Sequence, residues 1–266
     1  MKIININSEI ELTAAQQSFV EEVLACGDRH CCRDKDSFYF LSKTIPIFLL
    51  NEKSMQKYDK NNDKEAYILE DNQELEFIKP HTEWLGFYGR TSGDVFVHTP
   101  RIVLCPERIE QCVANDEEFM FLIAKVIVHE LAHAKMDSRD QNTKYWKKDL
   151  FWEWMEESSA NRYTLDVFED FTHRYCCRHN SYKNKQCLER LWDYVVNFIK
   201  QQPPHYALGY ELFEKSPVID WEWERKKEEL GGTKRSKEKS EWLTYMQKHY
   251  RNLDSNAEQY FEAVFD

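Results

Sequence analysis

The sequence predicts an α+β fold that is mostly α-helical, with a single small β-sheet. Three observations predict it. Only 7 Gly and 7 Pro occur in 266 residues, so turns are few and unbroken segments long. The β-favouring runs are short and all fall before about residue 105. From about Asn115 onward, apolar residues recur at helical spacing.

The elements follow in order. Thr13 with Gln16 forms a capping-box pattern that opens a helix running to about Cys26. Lys43 to Leu50, "KTIPIFLL", reads as a strand, and its proline puts it near a sheet edge. Residues 51–76 are polar and acidic and read as a surface loop or insertion. Residues 76–80, "EFIKP", read as a short strand. Gly86, Gly89 and Gly93 punctuate the next stretch, in which Val95–Phe96–Val97 and Ile102–Val103–Leu104 are strands. A short helix begins near Pro106, since proline suits a first helical turn.

Asn115 or Asp116 then caps a long helix, with Glu117 and Glu118 complementing its dipole. Phe119, Leu122, Ile123, Val126, Ile127 and Leu131 give it a helical period, and it should end near Met136. A polar connection leads to a second long helix over roughly Tyr145 to Phe171, and a third covers roughly Lys185 to Gln201. Two prolines break the chain at "QQPPHYALGY". The remainder, from Trp221 on, is helical apart from Gly231–Gly232. No repeat and no clear boundary appear. The expectation is one domain over 1–266, with an N-terminal part (1–80), a central core (81–175) and a helical C-terminal part (176–266).

Composition excludes several functions. Apolar residues make up 42% and charged residues 31%, as in a folded globular protein. The net charge is −11 with Lys and Arg scattered, so nucleic acid is not expected as a partner. The basic run at Lys234 to Lys239 reads as a solvated segment. The N-terminus lacks a leader-like apolar core. The longest nearly apolar run, Phe119 to Val128, is interrupted by Lys125 and is too short to span a bilayer. A cytoplasmic location with no membrane partner is therefore expected. The eight cysteines (26, 31, 32, 105, 112, 176, 177 and 187) include no C-x-x-C pair, and reduced thiols are expected. "DRHCC" and "THRYCCRH" set histidine near adjacent cysteines. On a helix such cysteines point about 100° apart and seldom chelate one ion together.

One stretch carries chemistry: "AKVIVHELAHAKMD", Ala124 to Asp137. Residues four apart on a helix lie about 40° apart around its axis, so His129 and His133 can face one ion. Glu130 projects beside that ion, where a base acting on metal-activated water belongs. The uncharged neighbours Val126, Ile127, Val128, Leu131, Ala132 and Ala134 mark a buried helix, whose polar groups need partners. Histidines hydrogen-bonded in an ordinary core would account for one of the three polar residues more easily than for all of them.

A metal site of this kind needs a third protein ligand. "WMEESSANRY" offers Glu157 on the next helix, with Asn161 four residues on, placed to hold the outer nitrogen of a ligand histidine. By itself Glu157 would read as an exposed helix charge. The pairing with the first motif is what singles it out.

His129-Glu-Leu-Ala-His133 followed by Glu157-Ser-Ser-Ala-Asn161 resembles the gluzincin metallopeptidases, a group that includes thermolysin-like enzymes and the ImmA/IrrE-type peptidases. The resemblance spans about Ile102 to Tyr163. It implies a zincin-like core, one Zn2+ held by His129, His133 and Glu157, Glu130 as general base, and Asn161 supporting a ligand. The reaction implied is zinc-dependent hydrolysis of a peptide or protein substrate. It also implies a strand along the cleft, for which Ile102–Leu104 and Val95–Val97 are the candidates, and a donor for the oxyanion, for which His205 and Tyr206 are the candidates. Trp84, Phe87 and Tyr88 read either as a side-chain pocket or as core. The metzincin pattern does not fit, because Met136 and Arg139 stand where its glycine and third histidine belong. The alternative functions are a non-catalytic regulatory or binding module that keeps the fold and the metal, and a helical scaffold with core histidines.

Overall fold

In the computed structural model the described residues are 1–27, 38–62, 67–68, 74–75, 84–89, 100–139, 150–175, 185–202, 206 and 210. Helices dominate them, around a four-stranded sheet. The first helix, α1 (Ala14–Gly27), opens with the expected reciprocal cap. Gln16 N–H donates to Thr13 Oγ1 at 3.2 Å, and Thr13 N–H donates to Gln16 Oε1 at 2.8 Å.

The sheet has the order β1-β2-β6-β5, made of β1 (Ile3–Asn5), β2 (Ile47–Leu49), β6 (Arg101–Leu104) and β5 (Gly86–Gly89). The first three strands are parallel, and β5 runs antiparallel beside β6. Two of these strands, β1 and β5, were not expected. They are short, and β5 is bounded by the glycines that read as turn signals.

Three expectations about this region need correcting. "KTIPIFLL" is split: α2 (Phe38–Thr44) takes its start and β2 only its end. That strand is interior, with β1 and β6 on its two sides. Pro46 is tolerated because it stands just outside the paired residues, where its carbonyl accepts from Ile102 N–H at 3.0 Å. Residues 51–76 are no plain loop either. The helix α3 (Glu52–Asn62) begins behind Asn51, whose Oδ1 accepts from Ser54 N–H at 2.9 Å. Met55 anchors this polar helix in full burial, and Glu52 pairs with the buried Arg108. A small antiparallel pair, β3 (Tyr67–Ile68) and β4 (Glu74–Leu75), follows. The strands expected at 76–80 and 95–97 and the C-terminal helices from 221 lie outside the described residues.

The later helices fall close to expectation. The helix α4 (Pro106–Gln111) starts on its proline. The helix α5 (Asp116–Arg139) is capped by Asn115, whose Oδ1 accepts from Glu118 N–H at 3.0 Å. It runs a turn of helix beyond Met136. The helix α6 (Leu150–Glu169) passes into a π-helical turn, Asp170–Tyr175, before α7 (Lys185–Gln201).

The main core lies between α5 and the sheet. Ile47, Leu49, Ile102 and Leu104 point to that face, against Val20, Leu24, Leu122, Ile123 and Val126. Strand alternation sends Val103 the other way, into a second cluster with Leu50, Met55 and Cys105. Helix α5 touches β5 and β6 and packs against α1, α2, α4, α6 and α7, so it is the central element of the molecule. No helix among the described residues is long and apolar enough to cross a membrane.

Candidate metal centre

The polar residues of α5 sit in the middle of this core. His129, Glu130 and His133 are all buried. The i, i+4 spacing aims both imidazoles at α6, which packs alongside. There Glu157 turns inward. Its Oε2 lies 3.1 Å from His129 Nε2 and 3.3 Å from His133 Nε2, and the two Nε2 atoms are 3.3 Å apart. One ligand atom from each of the three residues falls within 4.8 Å of the others, so the group could hold a metal ion. The inward carboxylate rules out the plain exposed-charge reading of Glu157.

The donor set fits a cation. Lone pairs of two imidazoles and a carboxylate at these separations repel one another unless a proton or a metal lies among them. Burial pushes the His129 imidazole down to about 3, helped by the Lys125 charge and resisted by Glu157. Its ring is neutral at pH 7, which leaves a lone pair for a metal. Burial alone would raise the Glu157 carboxyl, but positive charge at His133 and the close approach of both histidines outweigh it, and Glu157 is ionised.

Glu130 behaves differently. Burial raises its carboxyl to about 7, against the pull of His133, Lys125 and a hydrogen bond from Tyr88 N–H. That hydrogen bond ties the carboxylate to β5. Gly86 on the same strand explains how close α5 and β5 come. A Cβ there would stand 2.6 Å from Leu104 Cδ2, 2.9 Å from the Val103 carbonyl oxygen and 3.0 Å from Val126 Cγ1.

The other candidates divide. Asn161 is fully buried, and its Oδ1 makes no hydrogen bond to His129 or His133 in this structure. Its Nδ2 donates to Gln202 Oε1 at 3.2 Å and to the Tyr206 carbonyl at 2.9 Å. Tyr206 lies by the site, with its ring 6.0 Å from that of His129, while His205 is outside the described residues. Of the two cleft-strand candidates, Val95–Val97 lies outside the described residues, and the other needs correcting. Ile102–Leu104 is enclosed by β2 and β5, so it has no free edge; among the described residues the edge nearest α5 is β5. Trp84 and Phe87, 5.7 Å apart between centroids, pack into the second cluster away from α5, so they follow the core reading. Tyr88 faces the main core.

Two site residues escaped the sequence reading, Lys125 and Gln202. Lys125 had a signal: it breaks an apolar run four residues before His129, on the same helix face. Gln202 had none, since its position depends on how α7 packs. Comparison of the chain with protein-family models, with curated proteins and with solved structures gives no match.

Proposed function

We propose that the chain is a zinc-dependent peptidase of the gluzincin type, with a zincin-like core in which His129, His133 and Glu157 hold the ion and Glu130 is the general base. One observation carries this reading. Two imidazole nitrogens and a carboxylate oxygen converge from neighbouring helices, and the residue that follows His129 carries a second buried carboxylate.

His129, His133 and Glu157 would hold the zinc ion, which when bound would supply Lewis acidity toward a peptide carbonyl and a water. The chain's own groups do the rest. Neutral His129 offers its Nε2 lone pair, and ionised Glu157 supplies negative charge to the ion. Glu130, poised near 7, takes a proton from the attacking water and hands it to the leaving amine. Tyr88 N–H aims that carboxylate from β5, an edge strand among the described residues, along which an extended substrate would add as a further strand. Tyr206, packed beside His129, is the candidate donor to the oxyanion. The proposed setting is the cytoplasm, in keeping with Cys105 and Cys187 standing outside any disulfide.

The test is Glu130→Gln, assayed on a broad peptide library with metal content measured in parallel. Zinc should stay bound while cleavage drops by at least about 10²–10⁴-fold, the usual worth of a general base. Cleavage at the native rate would remove Glu130 from the mechanism. A native chain that binds one zinc and cleaves nothing would favour a binding module instead.

A further inference from the structure

Behind the metal ligands lies a chain of hydrogen bonds that the proposed reaction does not use. Lys125 is buried on α5, one turn before His129. Its Nζ donates to Gln202 Oε1 at 3.4 Å and lies 5.3 Å from the centre of the Phe198 ring. Gln202 is the first residue past α7, where its own N–H donates back to the Ile199 carbonyl at 3.2 Å. The same Gln202 oxygen accepts from Asn161 Nδ2 at 3.2 Å, and Asn161 Nδ2 also donates to the Tyr206 carbonyl at 2.9 Å. Three elements are joined in this way: the helix of the two histidines, the helix of Glu157 and the end of α7.

The chemistry of the partners fixes every orientation. An ammonium can only donate, so it must face the oxygen of the Gln202 amide. That oxygen, like the Tyr206 carbonyl, can only accept, so it must face the nitrogen of the Asn161 amide. The Asn161 oxygen is thereby turned away from both. Among the described residues it is a buried atom with no hydrogen-bond partner, and so is His129 Nδ1. These two atoms are complementary. With His129 Nε2 committed to a metal, Nδ1 carries the hydrogen and needs an acceptor, while Asn161 Oδ1 is an acceptor lacking a hydrogen.

We infer that Gln202 is a positioning residue of the metal centre: held by Lys125, it sets the Asn161 amide so that its carbonyl is reserved for the outer nitrogen of His129 when a cation is bound. This inference rests on the zinc reading above. Its new content is that α7, which contributes no ligand, controls the tautomer of one. A side chain that merely filled space at position 202 would not.

The experiment measures zinc affinity and melting temperature for Gln202→Leu, Gln202→Glu and the Lys125→Met/Gln202→Leu pair, by competition with a chelating dye and by thermal unfolding. Gln202→Leu should weaken zinc binding about 10- to 100-fold, as loss of a partner behind a ligand does. Gln202→Glu keeps an acceptor for both donors and should hold native affinity. The double variant removes the buried ammonium along with its acceptor, so its melting temperature should recover while its zinc affinity stays low. Native affinity in Gln202→Leu overturns the role. Recovery of affinity in the double variant overturns it too, by tracing the whole loss to a stranded charge. A native chain that takes up no zinc overturns the metal reading itself and this role with it.

Discussion

Helices α5 and α7 lie against each other, yet they are built on opposite plans. On α7, Leu188, Leu191, Val195 and Ile199 are buried while Glu189, Arg190, Asp193, Asn197 and Lys200 face water. That is one apolar stripe on a wet helix, and packing explains all of it. On α5, every residue from Phe121 to Ala134 is buried, and four of them are Lys125, His129, Glu130 and His133. A helix dry on every side gains nothing in stability from such groups; each costs desolvation unless partners repay it. The contrast separates residues whose burial packing explains from residues whose burial it does not, and each prediction below strains it at a different point.

The largest effect should come from the ligands. His133→Ala or Glu157→Ala should abolish stoichiometric zinc binding, measured as metal per chain after dialysis. In α7, Leu191→Ala should cost about 2–5 kcal/mol in denaturant unfolding, since it opens a cavity in a fully buried position. It should leave zinc per chain unchanged. If both kinds of variant lost metal alike, the contrast between the helices would dissolve.

Next comes Gly86→Val. Added carbons at a position already 2.6 Å from a neighbouring side-chain carbon and 2.9 Å from a backbone oxygen must push β5 from α5. Turnover should fall with zinc retained, because Tyr88 N–H, not a ligand, moves. Unchanged turnover would mean that β5 does not orient Glu130.

A smaller effect belongs to the pair behind the sheet. Arg108 donates to both Glu52 oxygens, at 2.7 and 3.0 Å, and to the Trp84 carbonyl at 3.0 Å. Glu52 is 31% exposed, so solvent screens part of the interaction, and Glu52→Gln should cost only about 1–2 kcal/mol. The Arg108 hydrogen bond holds the Glu52 carboxyl below its usual value of 4.5, so its contribution is present above that value and fades as pH falls through the lower, folded one. Acid unfolding of Glu52→Gln should be correspondingly less steep.

The smallest effect near neutral pH concerns Cys105, since it develops only above pH 9. Burial raises its thiol from 9.0 to about 12. The unfolded chain therefore releases this proton first, and stability should decline as pH rises from 9 toward 12. Cys105→Ala should remove that part of the decline, and in the native chain alkylating reagents should reach the exposed Cys112 well before Cys105.

The sequence was most legible where local chemistry decides. The caps at Thr13 and Asn115 and the start of α4 at Pro106 depend on residues within a few positions, and they form as read. The histidine pair was legible because helical period alone brings it to one face. Glu157 needed the neighbouring helix, and the paired motif supplied it. What escaped depends on distant partners. Helix α3 looks like solvent-facing loop until Met55 and Glu52 find the sheet and Arg108. The interior place of β2 depends on strands from both sides, beyond what a proline can report. Nothing local announces that Gln202 and the Tyr206 carbonyl take the Asn161 amide nitrogen.

The central claim is that α5 and α6 together make one metal site with Glu157 as its third ligand. Elemental analysis of the native chain and of Glu157→Ala, purified side by side, tests it most directly. The account predicts one zinc per native chain and none in the variant. A native chain without metal, or a variant that keeps its full complement, would contradict it.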